Sequence, residues 1–187
     1  MAELDPIQKA VQYLKSGEII AYPTESVYGF GCDPSNAEAV TKLLQLKNRE
    51  IKKGFILVAA SWEQVEHLVE QISPMLLSQI QNTWPGPTTW IFPVDPSVPE
   101  WVCGNNGNIA IRISDHPIIR DICTAFDGPI ISTSANTKGN IPTRDYFMTK
   151  MLFQSSVSYI VEGKTGGLRK PTTIKDAITG DTLRQGD

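Results

Sequence analysis

Several short polar segments of this 187-residue sequence carry side chains suited to binding an anion. Residues 22–31 (YPTESVYGFG) pass from strand-forming residues into hydroxyl and carboxylate groups and then reach two glycines. Residues 132–136 (STSAN) supply hydroxyl and amide groups, and residues 47–53 (KNREIKK) hold four cations. Arg112 lies in an apolar strand pattern, and Arg184 lies near the end of the chain. Because ligands of α/β sheets usually bind where strands end, these segments are the candidate site.

The cations of residues 47–53 favour an anionic ligand. A single lysine at a helix end is accounted for by the helix dipole. Four cations within seven residues are harder to explain in this way, because the whole chain has a net charge of −3. Arginine can bind phosphate or carboxylate through two parallel hydrogen bonds, and lysine acts as a mobile point charge.

Each of the other segments also has a purely structural interpretation. Residues 22–31 could form a turn capped by Thr24, and residues 132–136 could form a turn that satisfies its own backbone. Arg112 must meet an anion or solvent, and the same holds for Arg184. For either arginine alone, a solvated or structurally paired side chain is the simpler interpretation.

Several common catalytic motifs are absent from the sequence. It contains no G-x-x-x-x-G-K-[ST] phosphate loop, no G-x-G-x-x-G and no G-x-S-x-G. We expect His67 and His116 to be structural, so the chemistry should rest on positioning and charge rather than on a histidine base. Cys32, Cys103 and Cys123 are far apart and form no C-x-x-C, which predicts free thiols and no zinc site.

Helical and strand patterns alternate along the whole chain. Ser35 is the expected cap of the second helix, and Ser61 with Gln64 forms a capping box at the start of the third. A loop is expected at residues 104–107. The pattern predicts one α/β domain over residues 1–187, with a mixed sheet and flanking helices. The expected helices cover residues 6–16, 35–46, 61–72, 74–84, 117–126 and 143–153, the strands cover 18–22, 54–60, 88–94, 109–113, 129–133 and 157–161, and a hairpin covers 172–183.

Taken together, the motifs resemble the YrdC/TsaC family of threonylcarbamoyl-AMP synthases, in its short single-domain form. They occur in the family's order and cover nearly the whole chain. The family often has proline after the arginine of its K-x-R motif, whereas Glu50 follows here, which leaves open whether Lys52 or Lys53 helps to bind phosphate. The matching segments are residues 22–31, Lys47-x-Arg49, 84–89 (WPGPTT), 112–117 (RISDHP), 132–136 and 183–186 (LRQG).

The resemblance implies a fold and a reaction. The fold is a YrdC-like twisted mixed sheet, similar to the DHBP synthase-like fold, around a large positively charged cavity. The reaction joins L-threonine, bicarbonate and ATP into L-threonylcarbamoyladenylate and releases pyrophosphate, with Mg²⁺ accompanying ATP. The product would feed t6A synthesis at position 37 of tRNA, where a partner complex performs the transfer. A cytoplasmic location is expected.

The resemblance also implies roles for particular residues. Lys47, Arg49, Ser134 and Asn136 match the K-x-R and S-x-N signatures and are the expected catalytic and ATP-phosphate group. The expected contacts of threonine or the adenylate are Thr24, Arg112, Ser132 and Thr172, and those near the nucleotide are Pro142 and Arg184.

Two other functions stay open at this point. One is a non-catalytic factor that binds tRNA or another RNA, although the net negative charge and the absence of an aromatic platform count against it. The other is a relative that handles a different carbamoyl phosphate-type ligand or only regulates. The longest uncharged apolar run, residues 55–60, is too short to span a membrane, and the N-terminus has no apolar signal core. The basic residues considered for an RNA surface are Lys138, Arg144, Lys164, Arg169, Lys170 and Lys175.

Overall fold

The computed structural model describes residues 4–104 and 107–187, and the strands of this part of the chain form one mixed sheet of nine. Their order across the sheet is β7-β1-β2-β6-β3-β5-β4-β8-β9. The pairs β1–β7, β3–β5 and β4–β8 are parallel and the other neighbours are antiparallel, as the predicted mixed α/β sheet requires. The strands are β1 Ile20–Pro23, β2 Tyr28–Gly31, β3 Ile56–Ala59, β4 Thr88–Pro93, β5 Asn108–Ile113, β6 Ile130–Ser134, β7 Tyr159–Ile160, β8 Thr173–Asp176 and β9 Thr182–Arg184.

Helices cover both faces of this sheet. Alternate residues of β3 point to opposite faces: Leu57 packs in the larger core with α2, α3, α4 and α6, whereas Val58 packs with α1 and α5. No helix in the described residues has both the length and the hydrophobicity that a membrane crossing requires. The helices are α1 Pro6–Lys15, α2 Ala37–Lys47, α3 Pro74–Gln81, α4 Glu100–Cys103, α5 Pro117–Phe126 and α6 Tyr146–Phe153.

The expected cap of the second helix is displaced by one residue. The side chain of Asn36, not Ser35, accepts hydrogen bonds from the backbone N–H groups of Glu38 and Ala39. Ser35 instead donates its hydroxyl to Asp33. The Asp33 carboxylate competes for the serine hydroxyl, so the adjacent asparagine becomes the cap.

The prediction of a helix over residues 61–72 is wrong. Two short 3₁₀ turns, Trp62–Gln64 and Glu66–Leu68, take its place. The amide of Gln64 accepts from the backbone N–H of Ala60 and donates to the carbonyl of Cys123, so it does not close a capping box. Val69 then pairs with Val94 as an isolated β-bridge. This long-range pairing ends the helical path that the apolar spacing favours.

Sequence patterns did not predict β2 or α4. The strand β2 is short and contains Gly29 and Gly31, and glycine weakens a strand pattern. A Cβ at Gly31 would lie 2.6 Å from the carbonyl oxygen of Ile131, so glycine is needed for this close approach. The hairpin predicted over residues 172–183 is confirmed by the antiparallel pairing of β8 with β9. Of the loop expected at residues 104–107, residues 105 and 106 lie outside the described residues.

Candidate functional site

A cavity of about 430 Å³ lies against the middle of the sheet. Its floor includes Ile56, Ala110 and Ile91, which stand beside one another on β3, β5 and β4. Ile56 also packs against the apolar cluster of α1 and α5, so the cavity lies on the sheet face that these helices cover. The sheet supplies a rigid floor, and loops at the strand ends supply the polar walls.

Most of the residues that the sequence predicted as a site meet in this cavity. They come from segments as remote as the β1–β2 loop and the C-terminal strand. Lys53, which the sequence left open as a phosphate contact, and Ser26, which had no predicted role of its own, also line it. Lys47 and Asn136 are not among the lining residues that the structure describes. The predicted residues that line the cavity are Thr24, Arg49, Arg112, Ser132, Ser134, Pro142, Thr172 and Arg184.

Lys47, the last residue of α2, lies behind the loop that follows β6. Only 8% of it is exposed, and its Nζ donates to the carbonyl oxygens of Ser134 and Asn136, each at 2.6 Å, and to Asn136 Oδ1 at 2.7 Å. Burial, with a smaller effect of the charge of Arg49, lowers the pKa of Lys47 to about 8. The three acceptors favour the charged ammonium and use all of its protons. Lys47 therefore fixes the loop and has no proton left for a fourth acceptor.

Asn136 is the centre of that loop. Its Oδ1 accepts from the hydroxyl of Ser134 at 2.7 Å as well as from Lys47. Its Nδ2 donates to the carbonyl oxygens of Asn140, at 2.6 Å, and of Thr137. These bonds hold Ser134 at the cavity wall.

Arg49 follows α2 by two residues but faces the cavity. Asn48 adopts the left-handed conformation (φ 46°, ψ 52°) and ends the helix, which turns the chain before Arg49. The guanidinium donates to the carbonyl of Gly54 from Nε and Nη2, at 3.2 and 2.8 Å, and lies 5.2 Å from the ring of Phe55. Burial lowers the pKa of Arg49 below its ordinary value, which is no obstacle to its charge at neutral pH.

The two neighbouring lysines are placed differently. Lys53 lines the cavity. Lys52 instead forms an exposed ion pair with Glu50 at 2.7 Å. Of the two lysines that the sequence left open as phosphate contacts, Lys53 is therefore the one that lies in the described cavity lining.

Arg112 is nearly buried, at 5% exposure, and pairs with Glu25. Its Nε lies 3.2 Å from Glu25 Oε1, which also accepts from the hydroxyl of Ser114 at 2.6 Å. Burial of Glu25 acts to raise its pKa, but the charge of Arg112 and the bond from Ser114 prevail, so the pKa of Glu25 is lowered. No role for Glu25 was predicted from the sequence. The available signal was an acid in a polar segment together with an arginine that needed an anion.

Thr172 connects this pair to the C-terminal strand. Arg112 donates from Nη1 to Thr172 Oγ1 at 3.3 Å, and Arg184 donates from Nε and Nη2 to the carbonyl of Thr172 at 3.1 and 2.8 Å. Burial and the charge of Arg112 lower the pKa of Arg184 below its ordinary value. Two guanidinium groups thus converge on one threonine at the wall of the cavity. Such a set can bind carboxylate or phosphate oxygens.

A family model named for Sua5, YciO and YrdC and described as telomere recombination matches residues 12–186. The match covers nearly the whole chain and therefore decides the family. The chain belongs to the Sua5/YciO/YrdC family. The threonylcarbamoyl-AMP synthase of Coxiella burnetii is 49% identical over 178 residues, which cover 95% of this chain and 96% of the relative. That of Photobacterium profundum is 45% identical over 185 residues, or 98% and 100% of the two chains. The family predicted from the motifs is confirmed.

A solved structure of P. abyssi Sua5, complexed with L-threonine, has the same fold. The TM-score is 0.90 at 26% identity, with 99% of this chain and 56% of the Sua5 chain covered. This chain therefore spans just over half the length of that Sua5. The predicted YrdC-like fold is confirmed.

Proposed function

We propose that this chain is a threonylcarbamoyl-AMP synthase, which makes L-threonylcarbamoyladenylate from L-threonine, bicarbonate and ATP for the t6A modification of tRNA. The observation that carries the proposal is the convergence of Arg49, Arg112 and Arg184, with the hydroxyl groups between them, on one cavity. Full-length relatives at 43–49% identity bear the name of this activity.

The reaction needs two bond-forming steps. The neutral amine of threonine attacks the carbon of bicarbonate, and one water leaves, which gives a carbamate. A carbamate oxygen then attacks the α-phosphorus of ATP while the bond to the bridging oxygen breaks, and pyrophosphate leaves. Substitution at phosphorus of this kind needs alignment and charge stabilisation more than covalent help.

Charge is the main obstacle to bringing these reactants together. Bicarbonate, ATP and the carbamate are all anions, and two unit charges about 4 Å apart repel by roughly 4 kcal/mol at an effective dielectric constant of about 20. Within the described lining, the charged side chains are all cations: Arg49, Lys53, Arg112 and Arg184. We propose that Arg49, Lys53 and Arg184 make the cavity electropositive and offset the repulsion, while Arg112, whose charge Glu25 balances, supplies oriented donors.

The predicted residues then divide into three groups of roles. Arg49, Lys53 and Ser134 would contact the phosphates, and Lys47 and Asn136 would hold Ser134 in place. The proposed contacts of threonine or the adenylate are Thr24, Arg112, Ser132 and Thr172. Pro142 and Arg184 are proposed to lie near the nucleotide.

The Mg²⁺ that accompanies ATP is proposed to bind the nucleotide rather than the protein. Among residues 4–104 and 107–187, no group of three or more His, Cys, Asp or Glu side chains is arranged to hold a metal ion. Phosphate oxygens and water are ordinary ligands of Mg²⁺. When bound, the ion would neutralise part of the triphosphate charge, and the roles above do not depend on it.

Pyrophosphate release tests this function. The purified chain is incubated with L-threonine, bicarbonate and ATP, and each is omitted in turn. The expected result is release that requires all three, together with an adenylate product that contains threonine. Release without threonine would instead favour a relative that handles another carbamoyl phosphate-type ligand, and no release would contradict the synthase.

The downstream partners follow from the product. We propose that the adenylate passes to a t6A transfer complex in the cytoplasm. Direct binding of tRNA or another RNA stays a prediction, and binding that weakens steeply with salt and ignores ATP would support it. Arg144, one of the basic residues considered for that surface, already donates to the carbonyl oxygens of Leu168 and Arg169, at 2.9 and 2.6 Å.

A further inference from the structure

Glu25 is a buried carboxylate to which the roles above give no function. It is only 3% exposed. Its Oε1 accepts from Ser114 and lies 3.2 Å from Arg112 Nε, while its Oε2 has no hydrogen-bond partner in the described part of the chain. Burying a charged acid is costly even when it forms an ion pair, because both charges lose their water. The chain therefore keeps an expensive group directly behind the cavity.

Glu25 can act on a ligand only through Arg112. Arg112 is in the lining of the cavity and Glu25 is not among the described lining residues. The acid lies next to the Nε side of the guanidinium, and Nη1 is directed to Thr172 Oγ1 at 3.3 Å. Nε itself has no hydrogen-bond partner in the described part of the chain, so its contact with Glu25 is an ion pair. The carboxylate beside Nε and the hydroxyl at Nη1 together orient the planar guanidinium and so direct its remaining N–H groups.

The three cavity arginines differ in how their charge is balanced. Arg49 and Arg184 donate to backbone carbonyl groups, and the ion pairs found among residues 4–104 and 107–187 include neither of them. Arg112, in contrast, has the carboxylate of Glu25 as a close counter-charge. Arg49 and Arg184 thus offer net charge, which suits a polyanion such as a triphosphate. The Arg112–Glu25 pair offers oriented donors with little net charge, which suits the single carboxylate of an amino acid.

We propose that Glu25 is a positioning residue for the amino-acid substrate: it holds Arg112 in the orientation in which the arginine binds the carboxylate of threonine. This inference rests on the proposed function. In this proposal Glu25 orients the hydrogen-bond donors of Arg112 and does not transfer a proton.

The test compares Glu25→Gln with wild type in threonine binding and turnover. Glutamine keeps the shape and the acceptor for Ser114 but removes the counter-charge. The Kd of L-threonine by calorimetry and the KM of threonine are expected to rise by about 10- to 100-fold, because small displacements of a binding group are costly. The KM of ATP should change by less than about threefold. Glu18→Gln, which removes the acid of an exposed pair with Lys42, is the matched control and should leave both constants unchanged.

A double-mutant cycle separates positioning from a merely structural role. If Glu25 acts through Arg112, then adding Glu25→Gln to Arg112→Gln should change the Kd of threonine by less than about twofold further. Two effects that multiply independently, or an unchanged Kd in a folded Glu25→Gln protein, would overturn the proposal. If Glu25→Gln fails to fold, Ser114→Ala loosens the same carboxylate and should raise the threonine Kd by about 2- to 10-fold.

A failure to bind threonine and a failure to turn over have different consequences for the two proposals. Wild-type protein that binds threonine but releases no pyrophosphate would contradict the synthase while the Kd series still tests Glu25. Wild-type protein that does not bind threonine would overturn both. Wild-type turnover combined with a normal Glu25→Gln variant would overturn the role of Glu25 alone.

Discussion

Two parts of the cavity lining hold their arginines by different means. In the sheet, Arg112 lies between Glu25 and Thr172 and is almost completely buried. In the loop after α2, Arg49 is held by the carbonyl of Gly54. The first arrangement fixes direction and balances charge. The second leaves a net charge facing the cavity on a segment that contains a 3₁₀ turn, Ile51–Lys53.

This difference predicts that the two arginines contribute unequally to the stability of the fold and to catalysis. Removing a member of a buried ion pair leaves an uncompensated charge in the protein interior, which destabilises the fold. Removing an arginine held by carbonyl groups at the surface of a loop costs the fold much less, but it removes charge stabilisation from the reaction. The following substitutions test that division, from the largest expected effect to the smallest.

Arg49→Ala should lower the rate of adenylate formation by about 100- to 1,000-fold, the range seen when one donor to a developing charge is removed. The thermal midpoint should stay close to that of wild type. Pyrophosphate release and thermal unfolding measure the two effects. Lys52→Ala is the control, because Lys52 pairs with Glu50 outside the cavity lining and its loss should leave the rate unchanged. A normal rate for Arg49→Ala would remove Arg49 from the active group.

Glu25→Gln should reduce the free energy of unfolding by about 3 kcal/mol at neutral pH, because Arg112 loses its buried partner. The pKa of Glu25 is lower in the folded protein than its ordinary value of 4.5. The pair therefore contributes stability above about pH 4.5, and this contribution is lost as the pH falls through the folded pKa.

Urea unfolding at pH 6, 4 and 3 checks this pH dependence. The gap in stability between wild type and Glu25→Gln should narrow as the pH falls. A gap that stays constant would mean that the carboxylate of Glu25 carries no charge-dependent stabilisation. Glu18→Gln, in an exposed pair, should change stability by less than about 1 kcal/mol throughout.

Lys47→Ala should lower turnover by about 10- to 100-fold, because the end of β6 at Ser134 and the loop that follows it lose the ammonium group that holds them. The KM of ATP should rise with it. Steady-state kinetics measure both, with Lys42→Ala, from the exposed pair with Glu18, as the control. Full activity of Lys47→Ala would show that the loop needs no such support.

Ser134→Ala should cost about 0.5–1.5 kcal/mol in ATP binding or in the barrier, the value of one neutral hydrogen bond. Its hydroxyl already donates to Asn136 Oδ1 at 2.7 Å. The lost free energy therefore comes partly from a less ordered loop and partly from any lost contact with the substrate. The same kinetic assay applies. If neither the rate nor the affinity for ATP changes, Ser134 is a turn residue only.

Much of the fold could be predicted because most elements are marked locally. The helix α1 begins at an aspartate cap and Pro6, and β3 is a continuous apolar run, so both follow from neighbouring residues. The segment over residues 61–72 could not be predicted in this way. Its apolar spacing is helical, but the pairing of Val69 with Val94 and the contact of Gln64 with Cys123 involve remote residues that no local window includes.

The sequence by itself determined which chemical groups are available: cations at the end of α2 and just after it, hydroxyl groups at the end of β6, and an arginine within β5. Those facts depend on residue type and short spacing. Only the tertiary structure decided how the groups are used. It directs Lys47 toward a loop and Arg49 toward a cavity, although only Asn48 lies between them, because the left-handed Asn48 turns the backbone there. It also pairs Arg112 with Glu25, because packing brings β5 beside the β1–β2 loop and a buried charge is stable only with a partner.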